Sequence, residues 1–149
     1  MDDGVVGMFP KSRAEMIVGS VGEWEGDLRA DLRTAVPSVD GDGGLIMTRK
    51  GVSVPAEQFA EILEALRKLN GVAASRAVGG RIAKSAKVEV RVSLEPFEND
   101  VFCHVRTYYL ANERPGQGVA VKARLLPELI ALAEQMVETI DATTSENAE

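Results

Sequence analysis

The chain has 149 residues, with 17 basic and 23 acidic side chains, a formal net charge of -6, 45% hydrophobic residues and 5% aromatics. That length carries one ordinary domain or two very small ones, and the apolar content is enough to offset the entropy of ordering the chain. A single cysteine, Cys103, and a single histidine, His104, exclude an intrachain disulfide and a zinc site of the Cys/His kind. Being neighbours on a strand-like segment, the two point to opposite faces and do not form a nucleophile pair. No apolar run approaches the ~20 residues of a membrane helix, and Met1-Asp-Asp-Gly4 lacks the basic and apolar regions of a secretory leader. The expected location is the cytoplasm or nucleoid, or the nucleus in a eukaryote. Taken alone, the acidity argues against a nucleic-acid partner.

In chain order, the first strand-like stretch sets Leu28, Ala30 and Leu32 inward and Arg29, Asp31 and Arg33 outward. A Gly/Asp-rich loop at Val39–Gly44 lacks the Gly-Lys-Ser/Thr signature of a phosphate loop and reads as a connection. From Pro55 to about Leu69, residues Phe59, Ile62, Leu63, Leu66 and Leu69 recur at the 3 and 4 spacing of one helix face. Pro55 suits the first turn of that helix and Asn70-Gly71 its end. Residues 71–87 contain Arg76, Arg81, Lys84 and Lys87 and no acid, and read as a basic linker.

Strict alternation returns at Val88, Val90, Val92 and Leu94. It continues where Val101, Cys103 and Val105 alternate with Phe102, His104, Arg106 and Tyr108. The second set is an aromatic and basic row that faces solvent or is covered by another unit. A second helix is predicted from Pro127 to about Ile140, with an apolar stripe wide enough to meet a sheet and another helix together. Residues 141–149 read as a flexible tail.

The two halves repeat. Val21–Thr34 lies without gaps on Leu94–Thr107, setting Trp24 on Phe97, Glu25 on Glu98, Asp27 on Asp100 and Arg33 on Arg106. Gly51-Val-Ser-Val54 then lies on Gly118-Val-Ala-Val121. The predicted fold is α+β: two repeated units, each of strands followed by one helix, over 1–70 and 88–140.

Thr48-Arg-Lys-Gly-Val-Ser-Val-Pro-Ala-Glu-Gln-Phe59 resembles the Arg-Lys-Gly-Ile-Ser-Leu-x-Pro-Glu-Gln-Trp segment of the positive cofactor 4 family of single-stranded-DNA-binding transcriptional coactivators. Val21–Asp27 and Asp31–Thr34 fit the family's Phe-Lys-Gly-Lys hairpin and Asp-Ile-Arg strand. Phe97–Asp100, Val105–Tyr109 and Arg114–Val121 repeat the pattern. The resemblance implies that each unit is a curved antiparallel sheet followed by its helix, that the two units pack as a pseudo-dimer within one chain, and that the chain binds single-stranded DNA, and by extension RNA, with little sequence preference, in transcription regulation or DNA maintenance. It also implies transcription or repair proteins as partners and a possible homo-oligomer; the scattered acids, with no paired spacing on one face and no Ser-His-Asp arrangement, predict no catalysis, and no cofactor is expected. Carried over position by position, it implies nucleic-acid contacts at Trp24 and Phe97, at Arg33 and Arg106, at the aromatic pair Tyr108 and Tyr109, and at the basic pair Arg49 and Lys50.

The departures are specific. Where the family has lysines at the hairpin, this chain has Glu25, Asp27, Glu98 and Asp100, which repel phosphate over ~8 Å at physiological salt. Ala35-Val36 replaces the aromatic pair in the first unit, and Gln117 replaces the basic pair in the second. The first unit therefore keeps cations and the second keeps aromatics, which suits a composite, salt-sensitive site. The residues leave alternatives open: Trp24 stacks a base or caps the sheet, and Arg33 and Arg106 hold phosphate or pair with nearby acids. The rival function is a protein-interaction or oligomerisation module of the same fold with weakened nucleic-acid binding.

Overall fold

The computed structural model describes residues 4–147. Strands β1 (Val5–Pro10), β2 (Met16–Trp24), β3 (Asp27–Pro37) and β4 (Leu45–Pro55) form one antiparallel sheet in that order, followed by helix α1 (Ala56–Leu69). Strands β5 (Ala77–Ala83), β6 (Val88–Phe97), β7 (Asp100–Tyr109) and β8 (Arg114–Lys122) form a second. A 3-10 turn at Ala123–Leu125 leads from it into helix α2 (Leu126–Asn147). The fold is α+β with two similar sheet-plus-helix units, as the repeat predicts.

The repeat extends to the irregularities. Val21 pairs with Ala30 as Leu94 pairs with Cys103, and Trp24 pairs with Asp27 as Phe97 pairs with Asp100. The register shift at Val5/Gly7 recurs at Val78/Gly80, and the one at Arg33/Ala35 recurs at Arg106/Tyr108. Each such bulge inserts an unpaired residue and sharpens the local twist, curving the sheets.

The helices cross. Although α1 follows the first sheet, it packs mainly on β5 and β6 of the second, and α2 packs on β1 and β2 of the first. Buried Phe59, Ile62 and Leu66 of α1 and Leu129, Ala133 and Met136 of α2 belong to one continuous core with Ile17, Leu32, Val90 and Val105. Each large side chain so buried stabilises by roughly 1.5–3 kcal/mol. Arg67 of α1 joins the helices at the surface, contacting Glu64 at 2.7 Å and Glu134 of α2 at 3.0 Å. Valines 52 and 54 of β4 share that core with valines 119 and 121 of β8, so the sheets abut along these strands.

Three boundaries differ from the sequence expectation. The segment 71–87, expected as a linker, contains β5, whose Gly79 and Gly80 offer no alternating side chains to read. A Cβ at Gly79 would stand 2.3 Å from the carbonyl oxygen of Ala65, so the glycine is where α1 meets the strand. The first unit also has β1 and β2 ahead of the predicted strand, with Val18 fully buried on the side that alternation assigns to solvent. Finally, α2 continues through Asp141–Asn147 rather than ending near Ile140; the last two residues of the expected tail lie outside the described residues. Ala142 and Glu146 carry no helix-breaking chemistry, and Gly and Pro are absent after Pro127.

Candidate nucleic-acid interface

With one side of each sheet committed to the helices, the other side carries the alternate residues of β2, β3, β6 and β7. Trp24 and Phe97 stand at the two hairpin tips, 67% and 62% exposed. Exposure that large leaves the ring faces free to stack. The tips turn through Glu25 and Glu98, both in the left-handed region (φ 51° and 56°). The expected acids are therefore fixed beside the expected aromatics.

On the second sheet, Phe97 meets Phe102 edge to face with ring centroids 6.1 Å apart. His104, Arg106 and Tyr108 continue the same row along β7, each partly buried. The Arg106 Nε and the His104 Nδ1 are shielded from solvent with no hydrogen-bond partner among the described residues. Burial, with help from the positive charge of Arg106, lowers the His104 pKa below 6.5; Glu95 opposes and Lys11 adds to the effect. Tyr108 lies under the Arg91 guanidinium at 4.1 Å, and Tyr109 under Arg114 at 4.9 Å.

Arg91 is itself held by Glu89, which also accepts from Arg81, and by Glu113 at 2.8 Å. Burial alone would raise the Glu89 carboxyl, but hydrogen bonds from Arg91 and Arg81 outweigh it and hold the group below its usual range.

The first sheet is arranged differently. Arg33 forks onto Asp31 at 3.0 and 2.7 Å and also donates to the Thr48 carbonyl oxygen, so its charge is committed within the sheet. Asp31 and Arg33 are two apart on a strand and share a face, which is why they meet. Arg29 donates to Ser53 at its hydroxyl and its carbonyl. Together with Ser20, Gly22, Trp24 and Asp31 these two residues line a shallow cup beside the hairpin. Arg49 and Lys50 are exposed on β4, with no ion-pair partner among the described residues.

The structure thus gathers Trp24 with Arg33 on one outer surface, and Phe97 with Arg106 and Tyr108 on the other. Arg49 and Lys50 precede Gly51, which pairs with Arg33. Tyr109, at the end of β7, is more exposed than Tyr108 and stacked under its own arginine.

Two cations stand outside the site residues that the resemblance implies: Lys84, read in the sequence only as part of a basic linker, and Lys11. Lys84 in the β5–β6 turn has its pKa lowered by burial and by the charge of Arg29, which belongs to the other unit. Lys11, in the matching β1–β2 turn, acts electrostatically on His104 across the same division. Both turns make the same backbone bonds, Lys11 and Ser12 to Glu15, Lys84 and Ser85 to Val88. The Lys-Ser repeat was visible in the sequence, but the approach of each turn to the other unit's outer row is tertiary.

No protein-family model matches the chain, and no curated protein matches it in sequence.

Proposed function

We propose that the chain binds single-stranded DNA or RNA with little sequence preference along the outer faces of its sheets, as its resemblance to the positive cofactor 4 family implies, and that it serves transcription regulation or DNA maintenance without chemistry of its own. The observation that carries this reading is the solvent-side row Phe97, Phe102, His104, Arg106 and Tyr108, with the matching exposed Trp24 on the other unit. Aromatic rings stack any base, each worth ~1–3 kcal/mol, while guanidinium and ammonium groups meet the phosphates. Of the cations carried over from the family, Arg49, Lys50 and Arg106 have no ion-pair partner among the described residues, unlike Arg33; Lys84 and Lys11 act electrostatically on Arg29 and His104 of the outer rows, with Lys11 also paired to Glu15.

A second reading is favoured by the charge pairing. Arg33 is neutralised by Asp31 and Arg91 by Glu89 and Glu113, and four acids flank the hairpins. Such faces suit a protein partner, because a phosphate must compete with a carboxylate already in place.

Fluorescence anisotropy of a labelled ~20-nucleotide single strand separates the two. With three cations each meeting one phosphate, affinity falls with salt at a log–log slope near -2, about 0.7 per contact. Arg49→Ala/Lys50→Ala weakens binding and flattens that slope. Absence of binding at low salt rejects the nucleic-acid reading in favour of the protein-interaction module.

A further inference from the structure

The shallow cup beside the first hairpin is lined by Ser20, Gly22, Trp24, Arg29, Asp31 and Ser53. Its floor is open at Gly22, where an added Cβ would meet nothing within 4 Å, and the exposed indole of Trp24 forms a wall. Asp31 brings no free charge, because both its oxygens accept from Arg33, at 3.0 and 2.7 Å. Arg29 reaches across to β4, donating to the Ser53 hydroxyl and carbonyl, and its remaining N–H groups have no acceptor among the described residues.

A second cation comes from the other unit. Gln58, in the first turn of α1, donates to the Ala83 carbonyl oxygen at 2.9 Å, and α1 starts from Pro55, the ladder partner of Arg29. The β5–β6 turn is thereby pinned at the Arg29 end of the first sheet. Lys84, next after Ala83, is half-buried there, and burial together with the Arg29 charge lowers its pKa. Neither Arg29 nor Lys84 forms an ion pair among the described residues. Two like charges held near each other with no acid between them repel, and an anion placed there removes that cost.

The second unit fills the same place. Glu95 stands where the first unit has Gly22 and accepts from Ser93 at 2.9 Å. Phe102 stands where it has Arg29 and packs on Phe97, and Ala120 replaces Ser53. The open floor and the Arg29 donors therefore belong to the first unit.

Charge and position select the ligand. A phosphate monoester at the end of a strand carries about two negative charges at neutral pH, matching the two cations, whereas a phosphodiester inside a strand carries only one. Beyond Trp24 the tip presents Glu25 and Asp27, which repel a strand that continues past the cup. A base needs a ring face, which Trp24 supplies, and room, which Gly22 leaves.

We propose that the cup holds a terminal nucleotide, its base against Trp24 over Gly22 and its phosphate monoester between Arg29 and Lys84, so that a single strand ends on the first unit. That a strand is attached rests on the nucleic-acid reading; the cup itself requires only a nucleotide.

The test compares, at low salt, the affinities of a short oligothymidine bearing a phosphate at one terminus, at the other or at neither, and follows thymidine monophosphate alone by quenching of Trp24, the sole tryptophan. The expected result is that a strand phosphorylated at one of its termini binds roughly tenfold tighter than the unphosphorylated strand. Arg29→Ala and Lys84→Ala each remove that preference, with circular dichroism unchanged. Equal binding of the three strands by the wild type overturns the proposal and leaves strand binding standing. A preference that persists in both variants also overturns it, because the phosphate then sits elsewhere. If no strand binds, quenching by the mononucleotide that Lys84→Ala abolishes keeps the cup as a nucleotide site and rejects the nucleic-acid reading, whereas no quenching rejects both.

Discussion

Glu89 is a nearly buried carboxylate that accepts from both Arg81 and Arg91, and Arg91 in turn covers Tyr108. Truncating it leaves two guanidinium groups without their shared acceptor and frees Tyr108 from its cover. At pH 7, Glu89→Ala lowers stability by about 1–3 kcal/mol, measured by urea denaturation. The sign with pH follows from the depressed folded-state pKa. The stabilisation is complete above the ordinary carboxylate value of 4.5 and is lost as pH falls through the lower folded value. Wild type and variant therefore converge as pH falls below 4.5 through the lower folded value, and a gap that stays constant throughout the acid range in which the chain remains folded contradicts the assignment. Cys103 is buried on the opposite side of the same sheet, and desolvation pushes its thiol up to about 12. Ellman's reagent should leave it unmodified in the folded chain and react once the chain is unfolded; fast native labelling shows instead that the core around Cys103 opens. Cys103 as a core residue, and the row Phe102, His104, Arg106 and Tyr108 as a face, were both legible from alternation. The pairing of Arg81 with Glu89 was not, because Arg81 lay in a segment with no readable period.

At the scale of elements, legibility followed the side chains. α1 and the inner residues of β6 and β7 announce themselves through periods of 3.6 and 2, since their apolar positions face one core. β5 does not, because bulging shifts its phase and Gly79-Gly80 replaces the expected core residues with close backbone approach. β2 is obscured in another way, with Gly19 inside and Val18 buried outside. These glycines carry a prediction. Gly79→Ala forces its new methyl against the Ala65 carbonyl and costs about 1–3 kcal/mol, read as a lower denaturation midpoint. Gly22→Ala on the outer face of β2 meets nothing within 4 Å and leaves the midpoint nearly unchanged. Equal effects of the two substitutions would mean that strand propensity, rather than helix approach, governs these positions.

For the whole molecule, crossed helices turn two repeats into one cooperative body. Because α1 covers the second sheet and α2 the first, neither sheet keeps its core when the other unit unfolds. Thermal unfolding followed by Trp24 fluorescence in the first unit should coincide with far-UV circular dichroism of the whole, giving one transition. Two separated transitions would show that the units fold independently. The two units are also coupled electrostatically, since the charge of Arg29 helps lower the Lys84 pKa and that of Lys11 helps lower the His104 pKa, each across the two units. The repeat made two units legible in the sequence; which helix covers which sheet was not, since both amphipathic faces fit either partner.

Binding of a single strand along the outer faces is tested most directly by locating it. In a 15N-edited NMR titration with a short oligothymidine, the indole NH of Trp24 and the amides of Phe97, Phe102, His104, Arg106 and Tyr108 should shift together. The amides of α1 and α2 should stay still. Shifts confined to the helices, or none at millimolar oligonucleotide and low salt, would contradict it.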